Sequence, residues 1–575
     1  MHPHNLMKKN LRNLTDKEFD LVVVGGGIFG ACAAWDATQR GLTVALLEKG
    51  DFSHATSAHH LKMVHGGIRY MQHGDVFRVW ESSRERAALL KVAPHLVHPL
   101  PIIMPTYGHG KRGKAVLHTG VFLYDLLTLN RNRRIPDKGR QIPRGRMITR
   151  QEVLNHFPGV EQRGLTGGAV FYDSQMYSPP RLALSFIRSA ANAGAEVANY
   201  IEVTQFLKRE NRIEGVRATN VLTGESLEVR SKMVLNTAGP WASKLLESGM
   251  GLHLEKKPVF SRDVCFVVSR PPSGKYALAC QIKTEDADAI FSRGGRHLFI
   301  APWRDCTLVG VWHGVFDGAP EEVTVTRGEM KKFLDEANEA YPDLSLSIED
   351  IAVVNTGLIL FAENQKERSK ISFGKRSILI DHDRKHKVKG LITLIGVRAT
   401  TARGMAEKAV DLIFRKMGRR FPGSKTETTP IFGGQIEHFD DYLGQVQGRR
   451  PYGLENGVLD ALIHNYGCEY TRVLKYIDDR PDLGHRVADT MVLKAEIVHA
   501  IREEMAEKLG DVIFRRTDLG TGCHPGEDAL LECARIMASE MGWDEDREKK
   551  EADEVRKYFI RHGVVTKGHP CSATP

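Results

Sequence analysis

The chain has 575 residues, 42% hydrophobic and 26% charged, enough for two or three domains around a large buried core. Its net charge of +10 and pI of about 9.0 favour anionic company: phosphorylated substrates, nucleotide phosphates, an acidic membrane surface or nucleic acid. Eight scattered cysteines with no CxxC pair argue against a disulfide framework or a zinc site and fit a reducing cytoplasm. No run approaches the roughly 18 uncharged apolar residues that a spanning helix needs.

The first twenty residues lack an apolar segment, so no secretory signal is expected there. A β run at 21–24, a cluster of glycines, a helix over 29–39 and a second strand at 43–47 then form a βαβ opening. Its text, VVVGGGIFGACAAWDATQRGLTVALLEKGD, carries G-x-G-x-x-G as Gly25, Gly27 and Gly30, with Glu48 18 residues after the last glycine. Gly25 permits the tight turn, Gly27 lets the backbone approach a pyrophosphate, and Gly30 lets helix and strand pack closely. The pyrophosphate lies on the helix N-terminus and Glu48 accepts from a ribose diol. This fingerprint serves NAD and FAD alike.

Directly after it, LKMVHGGIRYMQHGD (61–75) sets Lys62, His65, Arg69, Tyr70 and His73 around Gly66-Gly67. No period of 2 or 3.6 organises its apolar residues, so it is not a plain core element. His54, His59, His60, His65 and His73 fit no usual ligand spacing, and no metal is expected. The stretch NRNRRIPDKGRQIPRGR (130–146) reads as an exposed basic loop, open to contact with anionic lipid.

Farther on, 182–204 reads as helix then strand, 205–230 as hairpin material and 232–238 as a buried strand. The segment 259–365 is rich in short β runs and reads as an antiparallel sheet. At 391–411 a third strand-turn-helix aims a helix N-terminus, with Arg398 in the turn, at something negative. These interrupted α/β segments after the first motif favour FAD over NAD, since a reduced flavin carries negative charge around N1 and the C2 carbonyl. From about 440 to 560 the pattern is helical. Val458, Leu459, Leu462, Ile463 and Tyr466 share one face, as do Leu493, Ile497, Val498, Ile501 and Met505.

The stretch from the dinucleotide motif through Ala55-Thr56-Ser57 and Lys62–Tyr70 resembles the start of the FAD-dependent glycerol-3-phosphate dehydrogenases of the respiratory and mitochondrial type. NTAGPW (236–241), the late Gly396, Thr400, Thr401 and Arg403, and FRRTDLG (514–520) resemble further family elements. The resemblance implies an α/β (α+β overall) flavoprotein: a doubly wound FAD-binding domain, an antiparallel-sheet substrate domain and a C-terminal helical domain. The expected division is a core over 18–434, with an FAD lobe near 18–105, 182–258 and 366–434, a substrate lobe near 106–181 and 259–365, and a helical domain over 435–575. It implies FAD contacts at Gly25, Gly27, Ile28, Phe29, Gly30, Glu48, Lys49, Thr56, Ser57, Lys62, Val203, Ala238, Gly239, Trp241, Arg398 and Thr400. Arg69 and Tyr70 are expected at the substrate.

Four substrate-side positions depart from the family pattern. Cys265 stands in the place of the family's His. Gly310-Val311-Trp312-His313 replaces G-T-T-D, Ile359 replaces the Arg that grips the phosphate, and Arg398 replaces a Lys. Losing an Arg–phosphate pair removes roughly 1.5–3 kcal/mol. Either Arg262 or Arg293 supplies a substitute cation, or the substrate is not glycerol 3-phosphate, and the intact cofactor half favours the second.

The expected reaction oxidises a CH–OH group of a small anionic, phosphorylated compound by hydride transfer to flavin N5, with His313 as base, His65 as second candidate, and Arg69 and Arg398 in support. Quinone or oxygen is the expected acceptor, in the cytoplasm or at the inner face of the membrane. Oligomeric state stays open, a dimer included. The alternatives are an amine-oxidising flavoprotein of related fold and an inactive flavin-binding protein. No DNA-binding motif is present, so no nucleic-acid partner is expected.

Overall fold

The computed structural model describes residues 7–108, 113–285, 295–361, 376–420 and 422–561. Two sheets organise the first three quarters of the chain. In the first, five parallel strands run in the order Leu391–Ile395, Ser226–Asn236, Glu18–Val24, Val44–Leu47 and Glu196–Ala198, with Ile378–Asp381 antiparallel at one edge. Central strands buried on both faces need unbroken apolar runs, and Leu21, Val22, Val23 and Val44 through Leu47 are all buried.

Helices Ile28–Gln39, Pro179–Asn192 and Ala402–Lys416 cover one face of this sheet. The other face is closed by the antiparallel strands Ile201–Arg209 and Arg212–Asn220 with helix Ala242–Met250. A helix N-terminus therefore stands at the carboxyl end of two of the parallel strands, where open α/β sheets bind their ligands.

The second sheet has nine strands. Phe260–Val268 lies between Cys306–Phe316 and Ile351–Leu360, both antiparallel to it. Helix Arg327–Ala340 packs on the far face. One pair is parallel: Ala277–Glu285 meets Val97–Tyr107 at Ile102 and Ile103. Strands Met63–Val64 and Val97–Tyr107 both pair with Leu165–Met176, so 63–64 and 97–105, expected in the FAD lobe, join this sheet. Pro99, Pro101 and Pro105 interrupt the apolar period of the longer strand and hide it.

The basic stretch at 130–146 is less exposed than its composition implies. Arg131 and Arg140 are buried, because their guanidinium groups donate to the carbonyls of Ile142 and Pro94 and tie the loop down.

From Phe439 onward the described residues are helical, the last helix among them being Glu545–Arg561. Both apolar faces expected there point inward: Val458, Leu459, Leu462, Ile463 and Tyr466, and Leu493, Ile497, Val498 and Met505, are buried, with Ile501 half-buried. Buried ion pairs join these helices to the first sheet's side. Arg181 and Arg188 reach Glu504 at 2.6 and 2.9 Å. Arg516 reaches both oxygens of Asp51 at 2.7 and 2.8 Å. Burial alone would raise the Asp51 carboxyl, but Arg516 and Arg515 hold it far below the usual carboxylate range.

Candidate functional site

A cavity of about 1220 Å³ is walled by residues of both sheets. At one end stands the glycine turn. Gly25 has φ +104°, open to glycine and costly for other residues. A Cβ on Gly30 would lie 1.9 Å from the Gly25 carbonyl, so helix and strand can touch only without one. Thr237, which sequence reading missed, donates from its hydroxyl to the Val24 and Gly25 carbonyls and locks the turn. Glu48 accepts from the Gly26 and Gly50 N–H groups at 2.6 and 2.9 Å, which fixes its carboxylate at the end of the second strand. Ser57 accepts from the Ile28 N–H at 3.0 Å.

Gly25, Gly27, Ile28, Phe29, Glu48, Lys49, Thr56, Ser57, Val203, Ala238, Gly239 and Trp241 all line this cavity. Gly30 supports it from behind. Trp241 and Glu321 are also in the cavity wall, and the Trp241 indole N–H donates to Glu321 at 2.6 Å. Lys49 Nζ sits 3.9 Å from the Trp241 ring centroid, a cation–π contact.

The opposite end gathers side chains from three segments distant in sequence. His65 follows strand Met63–Val64. Its Nδ1 lies 3.1 Å from Asp173 and its backbone N–H donates to Thr400 Oγ1 at 3.2 Å. Burial raises the Asp173 carboxyl, yet the His65 contact, the Arg86 charge and the Gly66 N–H leave it below the usual range. Gly67 has φ +90° and turns the chain into Ile68–His73, which carries Arg69 and Tyr70 into the cavity wall. Arg398 donates from Nη1 to the Tyr70 hydroxyl and lies 4.8 Å over its ring, at the start of the turn that opens helix Ala402–Lys416. Its Nε is buried without an acceptor.

Antiparallel register supplies the third group. Asp263 is opposite His313, and directly opposed residues share a face with side chains close together. His313 Nδ1 is 2.7 Å from Asp263 Oδ1, and the Ser261 hydroxyl donates to the same oxygen at 2.9 Å. Asp263 was legible in principle, because a strand's period of 2 puts it on the face of Cys265. Cys265 and half-buried Ile359 complete this wall. Burial pushes the Cys265 thiol up to about 11, which removes it as a nucleophile at neutral pH.

Two expectations are corrected. Lys62 does not line this cavity. Its backbone takes φ +62° and its Nζ turns away to lie 4.4 Å over the Trp303 ring. Arg262 is no substitute clamp, because it points to the other face of its strand and donates to Glu329 and the Thr324 carbonyl. Arg293 lies outside the described residues. Among the described residues, no group of three or more His, Cys, Asp or Glu side chains is placed to hold a metal.

The family model for FAD-dependent oxidoreductases matches residues 20–412, and the model for the C-terminal domain of alpha-glycerophosphate oxidase matches 424–548. A glycerol-3-phosphate dehydrogenase of Synechocystis sp. is 30% identical over 97% of this chain and 99% of its own length. The chain belongs to the FAD-dependent glycerol-3-phosphate dehydrogenase family. The mitochondrial glycerol-3-phosphate dehydrogenase of Bos taurus is 30% identical over 94% of this chain and 73% of its own length. The FAD complex of the glycerol-3-phosphate dehydrogenase from Bacillus halodurans superposes with a TM-score of 0.76 at 24% identity, over 97% of this chain and 98% of that one.

As a member of this family the protein is an FAD-dependent oxidoreductase. The cofactor fits the donor set: a glycine cradle that a Cβ would fill, an acid at the end of the second strand, and an orphaned arginine Nε in the wall of the same cavity. The second family match, over 424–548, covers the segment read as a helical C-terminal domain.

Proposed function

We propose that this oxidoreductase removes hydride from a CH–OH carbon of a small anionic substrate other than glycerol 3-phosphate. The observation that carries this is the wall shared by the His313–Asp263 pair, the Arg398–Tyr70 pair and Ile359. Bound FAD supplies the hydride acceptor. With Nδ1 engaged by Asp263, His313 presents Nε2 as the proton acceptor, and the carboxylate stabilises the imidazolium as the hydroxyl proton arrives. His65, paired with Asp173 in the same way, is the second candidate. Arg69, Tyr70 and Arg398 hold the anionic group, and Arg398 with the neighbouring helix N-terminus supplies positive potential where negative charge develops. Ile359 makes the remaining wall apolar where a phosphate clamp is expected, which weakens binding of a dianion. We assign the core to 18–434 and the helical domain to 435–575.

Anaerobic mixing with glycerol 3-phosphate and a panel of small hydroxy acids and polyols tests the substrate assignment. Slow bleaching of the flavin band by glycerol 3-phosphate and fast bleaching by another anionic alcohol are expected. Fast bleaching by glycerol 3-phosphate refutes the changed substrate.

For the acceptor, the surface favours a quinone in a lipid phase at the cytoplasmic face of a membrane. No helix among the described residues is long and apolar enough to cross one. Two adjacent helices, Val76–Val92 and Lys114–Leu127, expose Phe77, Trp80, Phe122 and Leu126 by half or more, and their neighbours Val116, Val121 and Leu123 line the cavity. Exposed Arg133, Lys138 and Arg144 follow in the basic loop, complementary to anionic headgroups. Co-sedimentation with phosphatidylglycerol vesicles, reduced in a Trp80→Ser/Phe122→Ser variant, is expected. Equal sedimentation with or without vesicles rules the docking face out.

A further inference from the structure

Lys62 belongs to the stretch that sequence reading assigned to the cofactor, yet it serves a different place. Its side chain lines a separate cavity of about 30 Å³ between the core and the C-terminal helices, with Trp303, Asn355, Phe514, Thr521 and Tyr558 around it. The residue is 3% exposed. Its Nζ, and Asn355 Nδ2 across the same cavity, are buried without an acceptor. Asn355 itself is 4% exposed, and its Oδ1 lies 3.4 Å from His59 Nδ1.

Among the described residues that line this cavity none is acidic. The neighbouring carboxylate, Asp518, is engaged by Arg304 at 2.7 Å. Arg304 adds positive charge near Lys62, and its Nη1 is committed to Thr521 at 2.8 Å. Burial lowers the Lys62 ammonium to about 8, which still leaves it largely charged at neutral pH. Among the described residues this buried ammonium meets no hydrogen-bond acceptor, and the Trp303 ring compensates it only in part. The cavity has room for one or two water-sized particles.

We propose that this cavity is a binding site for one small monovalent anion of chloride size, held by Lys62 Nζ and Asn355 Nδ2. The ion joins the loop that carries Thr56 and Ser57 to the cofactor cavity with the helices that carry Phe514 and Tyr558. Ligand that binds only the folded chain raises its stability by mass action.

The test uses the FAD-loaded enzyme in gluconate buffer, titrated with chloride or bromide at constant ionic strength. A saturable rise in thermal midpoint is expected in wild type. It should be lost in Lys62→Met and weakened in Asn355→Leu, and bromide crystals should show an anomalous peak against Lys62 Nζ. Midpoints identical in gluconate and halide overturn the site, whether the map shows water only or a peak that reflects binding at crystal concentration only. A halide response that survives Lys62→Met also overturns it. Should Lys62→Met fail to fold, the wild-type titration and Asn355→Leu decide. None of these readouts depends on which alcohol the enzyme oxidises.

Discussion

Replacing Asp263 by Asn isolates the proton-transfer half of the proposed chemistry. The carboxylate accepts from His313 Nδ1 at 2.7 Å and from Ser261 at 2.9 Å, with both members of the His–Asp pair about nine-tenths buried. A hydrogen bond to a charged group contributes about 1.5–3 kcal/mol. The Asp263 contribution grows as His313 gains its proton, so most of it acts on the barrier. At about 1.36 kcal/mol per tenfold, the rate of flavin reduction should fall about 10- to 150-fold. His313→Ala should cost about 10²- to 10⁴-fold. The double variant should be no slower than His313→Ala, because the carboxylate acts through the imidazole. Anaerobic stopped-flow with the best substrate of the screen, on protein with wild-type FAD content, reads all three rates. An unchanged rate in Asp263→Asn, or losses that multiply in the double variant, would refute the assignment.

Gly30→Ala should yield colourless protein, since the added Cβ meets the Gly25 carbonyl at 1.9 Å; a normal ratio of flavin to protein absorbance would contradict this. Ile359→Arg should restore a cation to the substrate wall and speed bleaching by glycerol 3-phosphate, and no change in that rate counts against the pocket assignment. Arg516→Met leaves the buried Asp51 with Arg515 and the Asn199 amide, a loss of about 3–5 kcal/mol that thermal unfolding should register as a clear drop in midpoint. Glu496 is pushed by burial up to about 8, from an ordinary value of 4.5. The folded chain therefore keeps a proton that the unfolded chain releases, and this contribution is full below pH 4.5 and lost as pH rises towards 8, by about 1.4 kcal/mol per unit. Glu496→Gln should thus gain on wild type between pH 6 and 8 in denaturant unfolding, and parallel pH profiles would show the assignment to be wrong.

Much of the first sheet was legible because its strands are buried on both faces and its turn needs glycines at set spacing. The helical segments after 439 were legible by their period of 3.6. Strand Val97–Tyr107 was hidden by its prolines. Lys62 was misplaced because motif spacing says nothing about a left-handed backbone at one residue. Asp173 and Thr237 escaped notice because their roles arise only when strands far apart in sequence come together.

The two halves of the site are built of different material. The diphosphate cradle is backbone, and its conditions are geometric: positive φ at Gly25, no Cβ at Gly30, and a hydroxyl at Thr237 to lock the turn. A substitution there damages the fold and the cofactor site at once. The substrate wall is made of side chains on strands that pair through their backbones whatever they carry. Cys265 and Ile359 stand on Phe260–Val268 and Ile351–Leu360, strands held together in register by backbone pairing. The side chains at those two positions line the cavity and take no part in the backbone pairing. The His313–Asp263 pair arises from that same register, since a strand that presents His at 313 must set it against residue 263. Selection on substrate can therefore act on this wall while the cofactor turn stays fixed, and the base and the anion site can change independently of each other.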